Sequence, residues 1–179
     1  EEINRRLGRD VYQGKNVPPK VLWYQQNRPE IFKKAAYLLD VSAYLYWKLT
    51  GVYAYDLSGA FGSQMVDDET LEWSDEKLAA ANIPKALLPQ KIVDSIEAVG
   101  SITAEASKET GLSEGTKVFG GCSDNANGQI GTGCIRSGDI HIYIGSSSWF
   151  EVTTTKHEKN KGNYPSAIRD MRYHFRCTD

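Results

Sequence analysis

The chain has 179 residues, with 21 basic and 23 acidic side chains, a formal net charge of −2 and 40% hydrophobic residues. This near-neutral balance gives no electrostatic basis for binding nucleic acid or an anionic membrane surface. No stretch reaches the roughly 18 apolar residues of a membrane span, and no signal peptide is visible, so we expect a cytoplasmic protein. Cys122, Cys134 and Cys177 lack a metal-binding spacing, which indicates reduced thiols and excludes a zinc site.

The first two thirds of the chain predict short helices separated by proline and glycine. Pro18 and Pro19 mark the start of one helix, and apolar residues spaced three to four apart predict a second helix over residues 29–39. A third is predicted over residues 42–50, with Ser42 as its cap and Gly51 as its end. Residues 52–63 show no helical period and are predicted to be a loop or an extended segment. A helix is predicted at 75–81, with Ser74 as its cap, and one helical turn at 85–88. Another short helix is predicted to start in residues 101–105 and to end at Gly111.

A glycine-rich segment, Gly120–Gly133, follows the apolar residues 117–119 and predicts a strand, a tight turn and a helix at 125–131. Asp124 at this helix start would lie where unpaired N–H groups and the helix dipole favour an anion. A carboxylate there that faces a cleft can act as a general base, and Asn125 beside it can donate a hydrogen bond to a polyol hydroxyl. The alternative is that Ser123 or Asp124 serves only as the helix N-cap.

Two further polar groups are candidates for binding. Residues 140–144 and 149–154 predict a β-hairpin, with the isoleucines of the first strand facing inward and His141 and Tyr143 facing outward. Its tip, Gly145–Ser148, offers successive N–H groups and hydroxyls that suit phosphate oxygens, although a plain serine-rich turn is the alternative. Asp56 and Ser58 lie in an aromatic stretch, where local capping is the alternative to a binding role.

The order of these motifs resembles the FGGY family of carbohydrate kinases, which share the actin-like ATPase fold. Tyr44–Gly51 is similar to the family's "YLxxxLTG" stretch, and Asp56–Ala60 to its "TDYSxAS" loop. Gly120–Ala126 resembles "GGGDNA", which is most like the xylulokinase-type branch, and Ile144–Ser148 resembles "LGTSG". A series of ordered matches is more specific than any single motif.

The resemblance implies an α/β fold, a fragment of the actin-like ATPase (ribonuclease H-like) fold. Residues 1–134 would be the C-terminal part of the first, sugar-binding lobe, and residues 135–179 would begin the second, nucleotide-binding lobe with a hairpin. The chain begins without methionine and lacks the family's first phosphate motif and adenosine-binding part. We therefore expect an internal piece of a kinase that is inactive alone; the alternative is a noncatalytic sugar-binding or assembly module that keeps the fold.

The resemblance also implies roles for individual residues. Asp124 would be the catalytic base, which removes a proton from a sugar hydroxyl as that hydroxyl attacks the γ-phosphate of ATP, with Mg²⁺ as the cofactor. The substrate would be a ketose or polyol, with a xylulose-like pentulose favoured. The resemblance is also compatible with a homodimer. Gly133 would lie near the hinge between the lobes, and no residue is assigned to a metal. Sugar binding is expected of Asn125, Asp56 and Ser58, and phosphate binding of Gly145, Ser146, Ser147 and Ser148.

Overall fold

A computed structural model describes residues 1–8, 14, 16–67, 69–146, 148–154, 163–164 and 173–177. Its helices are α1 (Glu2–Leu7), α2 (Val17–Asn27), α3 (Pro29–Phe32), α4 (Val41–Thr50), α5 (Leu57–Gly62), α6 (Asp75–Ala80), α7 (Ala104–Thr110) and α8 (Asp124–Gly131), with a 3₁₀ turn at Lys85–Leu87. Its strands are β1 (Ala54–Asp56), β2 (Lys91–Val93), β3 (Ala98–Ser101), β4 (Lys117–Phe119), β5 (Ile140–Ile144), β6 (Ser148–Thr154), β7 (Asn163–Tyr164) and β8 (Tyr173–Cys177). Helices and strands are mixed along the chain, as the predicted α/β class requires.

The strands form three sheets. β1 and β2 pair in parallel, and β3 pairs with β4 in antiparallel orientation. The third sheet is antiparallel, with the strand order β5-β6-β8-β7. α8 follows β4 and precedes β5, so this helix connects the second sheet to the third along the chain.

The main hydrophobic core lies around β1 and the helices next to it. Leu57, Met65 and Leu88 are among its fully buried side chains. The Trp73 ring packs edge-on against the Tyr55 ring, with centroids 5.2 Å apart, an arrangement that adds to the stability gained from burial. This packing fixes β1, whose last residue is Asp56. Within the described part of the chain, no helix is long and apolar enough to cross a membrane.

Three sequence-based expectations about the helices are wrong. α3 ends at Phe32 and not at residue 39, because the backbone N–H of Leu38 donates to the carbonyl of the distant Leu87 at 2.7 Å. Asp40, and not Ser42, caps α4, since its Oδ1 accepts from the Ala43 N–H at 2.7 Å. Residues 52–63, predicted to be irregular or extended, contain both β1 and the short helix α5.

Several other predicted helix ends are confirmed, whereas the helix predicted to start in residues 101–105 begins only at Ala104, because Ser101 belongs to β3, and the helical turn predicted at 85–88 is a 3₁₀ turn. Gly51 and Gly111 adopt the left-handed conformation after α4 and α7, which glycine reaches without steric cost. Ser74 caps α6 by accepting from the Lys77 N–H. Local capping signals therefore located these ends correctly.

Candidate active site

The turn before α8 has the local geometry expected from the sequence. Gly121 has φ +62°, a left-handed conformation that favours glycine. Ser123 is the N-cap, with its Oγ accepting from the Ala126 N–H at 3.5 Å, so Asp124 does not serve as the cap. Asp124 is the first residue of α8 and is exposed, and its Oδ1 accepts from the Asn125 N–H at 2.9 Å. The dipole of α8 favours a negative charge at this end.

Segments distant in sequence hold this turn in place. The Tyr46 hydroxyl, on α4, donates to the Gly120 carbonyl. The Gly121 N–H donates to the Ser95 carbonyl at 3.1 Å. A Cβ on Gly120 would lie 2.6 Å from the Asp94 carbonyl oxygen, which leaves room for glycine alone. The path of the chain into α8 is thus set by α4 and by the segment that follows β2.

A reciprocal pair of bonds closes the turn onto α8. The Cys122 thiol donates to Asn127 Oδ1 at 3.1 Å, and Asn127 Nδ2 donates to the Cys122 carbonyl at 2.8 Å. Burial, and then the charge of Asp56, raise the pKa of the Cys122 thiol, so this sulfur keeps its proton as a donor. Cys122 and Cys134 are both free thiols, in agreement with the predicted reduced state; Cys177's side chain lies outside the described part of the chain.

Asp56 and Ser58 meet the start of α8. Asp56 is 3% exposed and caps α5, because its Oδ1 accepts from the Gly59 N–H at 2.8 Å. The same Oδ1 accepts from the Ser58 hydroxyl at 2.5 Å. Ser58 Oγ in turn accepts from the backbone N–H of Ser123 at 2.8 Å, one residue before Asp124. The structure therefore joins two of the predicted site residues, Asp56 and Ser58, in one chain of hydrogen bonds that ends at Ser123, next to the third, Asp124, while a sugar contact by Asp56 or Ser58 stays a prediction.

A second carboxyl, Asp40, lies beside Asp56 and was not singled out from the sequence. The Oδ2 atoms of both residues lie within 2.8 Å of the position that a Cβ on Gly59 would occupy, so only glycine lets them come this close. Burial raises the pKa of Asp40, and the charge of Asp56 adds to this rise. The signal for Asp40 was present in the sequence as an Asp at an N-cap position before an apolar helix.

Tyr46 is the other residue that the sequence analysis did not single out, although it lies within the stretch Tyr44–Gly51 that resembles the family motif. Its hydroxyl lies 3.4 Å from Asp56 Oδ2 and donates to the Gly120 carbonyl. Burial raises the pKa of Tyr46, and the charges of Asp56 and Asp40 raise it further. The hydroxyl therefore stays protonated and serves as a donor to the glycine turn.

The predicted hairpin is confirmed, with Ile144 opposite Ser148. Gly145, Ser146 and Ser148 are exposed at or beside its tip, and Ser147 lies outside the described residues. A Cβ on Gly145 would lie 2.7 Å from the exposed Tyr143 ring, so a larger residue there would displace that ring. Among the described residues, no hydrogen bond joins the tip to Asp124, and the two predicted binding elements remain separate.

The predicted orientation of the hairpin strands is wrong. Ile142 and Ile144 are 64% and 84% exposed, whereas His141 faces Glu151 across the strands with Nδ1 and Oε2 3.3 Å apart. The polar face packs on α8, where Gln129 Nε2 donates to Thr153 Oγ1 at 3.1 Å. Because α8 presents a glycine and an amide at this contact, the polar side of the hairpin is the side that fits it.

In the described ranges, no group of three His, Cys, Asp or Glu side chains is arranged so that it could hold a metal ion. Mg²⁺ usually keeps several waters and binds through one or two carboxylates together with substrate phosphates. A site of that kind depends on the nucleotide and needs no preformed protein cluster.

A family model and two curated relatives all relate this chain to carbohydrate kinases. The family model described as the FGGY family of carbohydrate kinases, N-terminal domain, matches residues 1–131. The xylulose kinase of Bacillus subtilis (strain 168) is 37% identical over 129 residues, which are 72% of this chain and 26% of that protein. The xylulose kinase of Lactococcus lactis subsp. lactis (strain IL1403) is 32% identical over 169 residues, which are 90% of this chain and 34% of that protein.

A solved structure shares the fold. The xylulose kinase from Rhodospirillum rubrum superposes with a TM-score of 0.84 at 23% identity, over 92% of this chain and 34% of that one. The predicted actin-like ATPase fold is confirmed, and the chain spans between a quarter and two fifths of the length of the proteins it matches. With most of its length matched by the family model, the chain belongs to the FGGY family of carbohydrate kinases.

Proposed function

We propose that the chain is part of an ATP-dependent sugar kinase, which transfers the γ-phosphate of ATP to a hydroxyl of a ketose or polyol. Two xylulose kinases among its relatives favour a xylulose-like pentulose. Because the chain spans 26% and 34% of those relatives, the activity belongs to a longer polypeptide. Residues 1–134 would form part of its sugar-binding lobe and residues 135–179 would begin its nucleotide-binding lobe. The cytoplasmic location and the homodimer stay predictions.

One observation carries the proposal: Asp124 is an exposed carboxylate at the start of α8, in a turn that distant segments hold in place. In this role Asp124 accepts the proton of the sugar hydroxyl that attacks phosphorus, and the α8 dipole favours the anion before the transfer. Asn125, half-buried beside it, offers an amide that can bind a sugar hydroxyl. The base and the sugar contact then come from consecutive residues of one rigid element.

The hairpin tip would bind phosphate. Its exposed Ser146 and Ser148 supply hydroxyl donors that can bind phosphate oxygens. ATP would supply the phosphoryl group, and Mg²⁺ held by its phosphates would neutralise the charge that develops in the transfer. The residues of this chain contribute by positioning the hydroxyl and the phosphate, which is the main work of a protein in such reactions.

Closure of the two lobes would exclude water from the site. Gly133 follows α8 with φ +75°, a conformation that glycine adopts easily and that suits a hinge between lobes. Exclusion of water keeps the transferred phosphoryl group from hydrolysis.

The decisive experiment is Asp124→Asn in the complete protein, which keeps the size of the side chain and removes the base. We expect kcat to fall by about 10²- to 10⁴-fold while sugar affinity is retained. A panel of ketoses and polyols with ATP and Mg²⁺ gives kcat, and calorimetry gives sugar affinity. Asp75→Asn is the matched control, because the Asp75 carboxylate is 85% exposed and contacts only the exposed Lys85.

Two outcomes would contradict the proposal. Unchanged turnover by Asp124→Asn would exclude the base assignment. Sugar binding by the complete protein without any ATP turnover would favour the noncatalytic binding module. The purified 179-residue chain should itself be inactive, and sugar-dependent ATP turnover by that chain would show that it contains a whole active site.

A further inference from the structure

We propose that Ser58 is a positioning residue for the candidate base: its hydroxyl, oriented by the buried Asp56, holds the backbone N–H of Ser123 and so fixes the direction of Asp124. This inference rests on the proposed function, because it assumes that Asp124 is the base. It assigns Ser58 a role inside the protein, in place of a direct contact with the sugar.

The geometry of the Ser58 hydroxyl leaves it one arrangement. A serine hydroxyl has a single hydrogen, and Ser58 donates it to Asp56 Oδ1 at 2.5 Å. A lone pair of the same oxygen therefore faces the Ser123 N–H, 2.8 Å away. Because the acceptor is an ionisable carboxyl, the first bond is of the stronger charge-assisted kind when Asp56 is ionised. The hydroxyl is thus a fixed acceptor for Ser123.

The carboxyl that orients Ser58 is itself immobilised. Asp56 ends β1 and caps α5 through the Gly59 N–H at 2.8 Å, and it is 3% exposed. Its second oxygen lies 3.4 Å from the Tyr46 hydroxyl, which also binds the glycine turn. The single hydrogen of the Tyr46 hydroxyl goes to the Gly120 carbonyl, so the hydrogen-bonded link from Asp56 itself to the segment that leads into α8 runs through Ser58.

The start of α8 has only one half of a capping box: Ser123 accepts from the Ala126 N–H, but no side chain of the helix accepts from the Ser123 N–H. In a capping box, a Glu or Gln at the third helical position binds the N–H of the N-cap residue. The third helical residue of α8 is Ala126, which has no polar side chain. Ser58, 65 residues earlier in the chain, takes the place of that missing side chain at the Ser123 N–H.

The consequence is catalytic and not only structural. A misplacement of a reacting group by about 1 Å can cost about a hundredfold in rate. In Ser58→Ala the turn keeps its bonds at Gly120 and Gly121, so the helix forms but its first residue is less well directed. We expect kcat of the complete enzyme to fall by about 10- to 100-fold, with little change in KM for the sugar.

A double-mutant cycle in the complete enzyme tests this role, with Ser58→Ala, Asp124→Asn and the double variant. If Ser58 acts through Asp124, Ser58→Ala lowers kcat in the wild-type background and has little further effect on Asp124→Asn. Ser58→Thr, which keeps a hydroxyl, should restore most of the rate. Ser63→Ala is the matched control, because it removes a buried hydroxyl that donates to Ala60 at the other end of the same helix.

The outcomes separate this inference from the proposed function. A loss that persists at full size in the Asp124→Asn background, or that appears as a raised KM, overturns the positioning role and favours direct sugar contact. An equal loss in Ser63→Ala overturns it as well, since it indicates general destabilisation of α5. Unchanged turnover in Asp124→Asn instead contradicts the proposed function and removes the basis of the inference.

Discussion

Two glycine- and serine-rich turns, the one before α8 and the tip of the β5–β6 hairpin, are held in different ways. The backbone of the first turn forms hydrogen bonds with Tyr46, Ser58 and Ser95, all distant in sequence. The second is exposed and, among the described residues, is connected through its own strands. Under the proposed function the first turn directs a reacting group, which needs support from several elements, and the second would bind phosphate, for which backbone donors of the turn suffice.

The hairpin also differs from the turn in how its sequence pattern relates to burial. Its isoleucines face outward, and its His141–Glu151 pair lies on the face toward α8. At the turn, by contrast, glycine, serine and aspartate occupy the places that local rules predict. The residue types of the turn follow short-range rules, although bonds from distant segments hold it in place, whereas the facing of the hairpin depended on its partner helix.

The largest effect on stability should come from His141→Ala, which tests the facing of the hairpin. The substitution removes the imidazole whose Nδ1 lies 3.3 Å from Glu151 Oε2 and leaves that buried carboxyl without this partner, which should lower the free energy of unfolding by about 3 kcal/mol. Ile142→Ala, at the next position and 64% exposed, should cost less than about 1 kcal/mol. Urea denaturation of the 179-residue chain measures both values. The reverse order would restore the inward isoleucines predicted from the sequence.

A smaller loss should follow Gly59→Ala, which tests the support beneath the α8 turn. The new Cβ would lie 2.7 Å from Asp40 Oδ2 and 2.8 Å from Asp56 Oδ2, so the helix must shift at a cost of about 2 kcal/mol. Gly62→Ala in the same helix meets nothing within 4 Å and should stabilise by about 0.5 kcal/mol. Thermal denaturation of the two variants side by side gives the comparison. Equal effects would show that the carboxyl pair does not require this glycine.

The smallest effect should be a change in the pH dependence of stability, which isolates the charge of Asp40. Because its pKa is raised above the ordinary value of 3.8, Asp40 contributes stability that is complete below that value and is lost as pH rises through the raised pKa. Asp40→Asn keeps a side chain that can cap α4 and removes the charge. The variant should therefore gain stability relative to the wild type as pH rises toward neutrality.

Asp67→Asn provides the control of opposite sign. Backbone N–H groups, that of Thr70 first, lower the pKa of Asp67, so its contribution is present above 3.8 and is lost as pH falls through the lowered pKa. This variant should be less stable than the wild type near neutral pH, and the gap should close in acid. Urea denaturation at a series of pH values distinguishes the two; parallel curves for both variants would contradict the assigned directions.

Much of the fold and of the candidate site could be predicted from local chemistry. Ser74 and Gly111 marked helix ends through caps that depend only on neighbouring residues. Asp124 was recognised because glycines precede it and a helix follows. The end of α3 at Phe32 could not be predicted, since the segment after it is held by the bond from the Leu38 N–H to the Leu87 carbonyl, a contact that no local pattern records.

The sequence by itself determined the family, the order of the motifs and the placement of Asp124 at the start of a helix. These depend on residue identity and on interactions between residues a few positions apart, which can be recognised in the sequence. Only the tertiary structure decided that Ser58 contacts Ser123, that Asp40 lies beside Asp56, and that His141 faces inward. Those contacts join residues from separate elements, so they exist only after the core around β1 has brought the elements together.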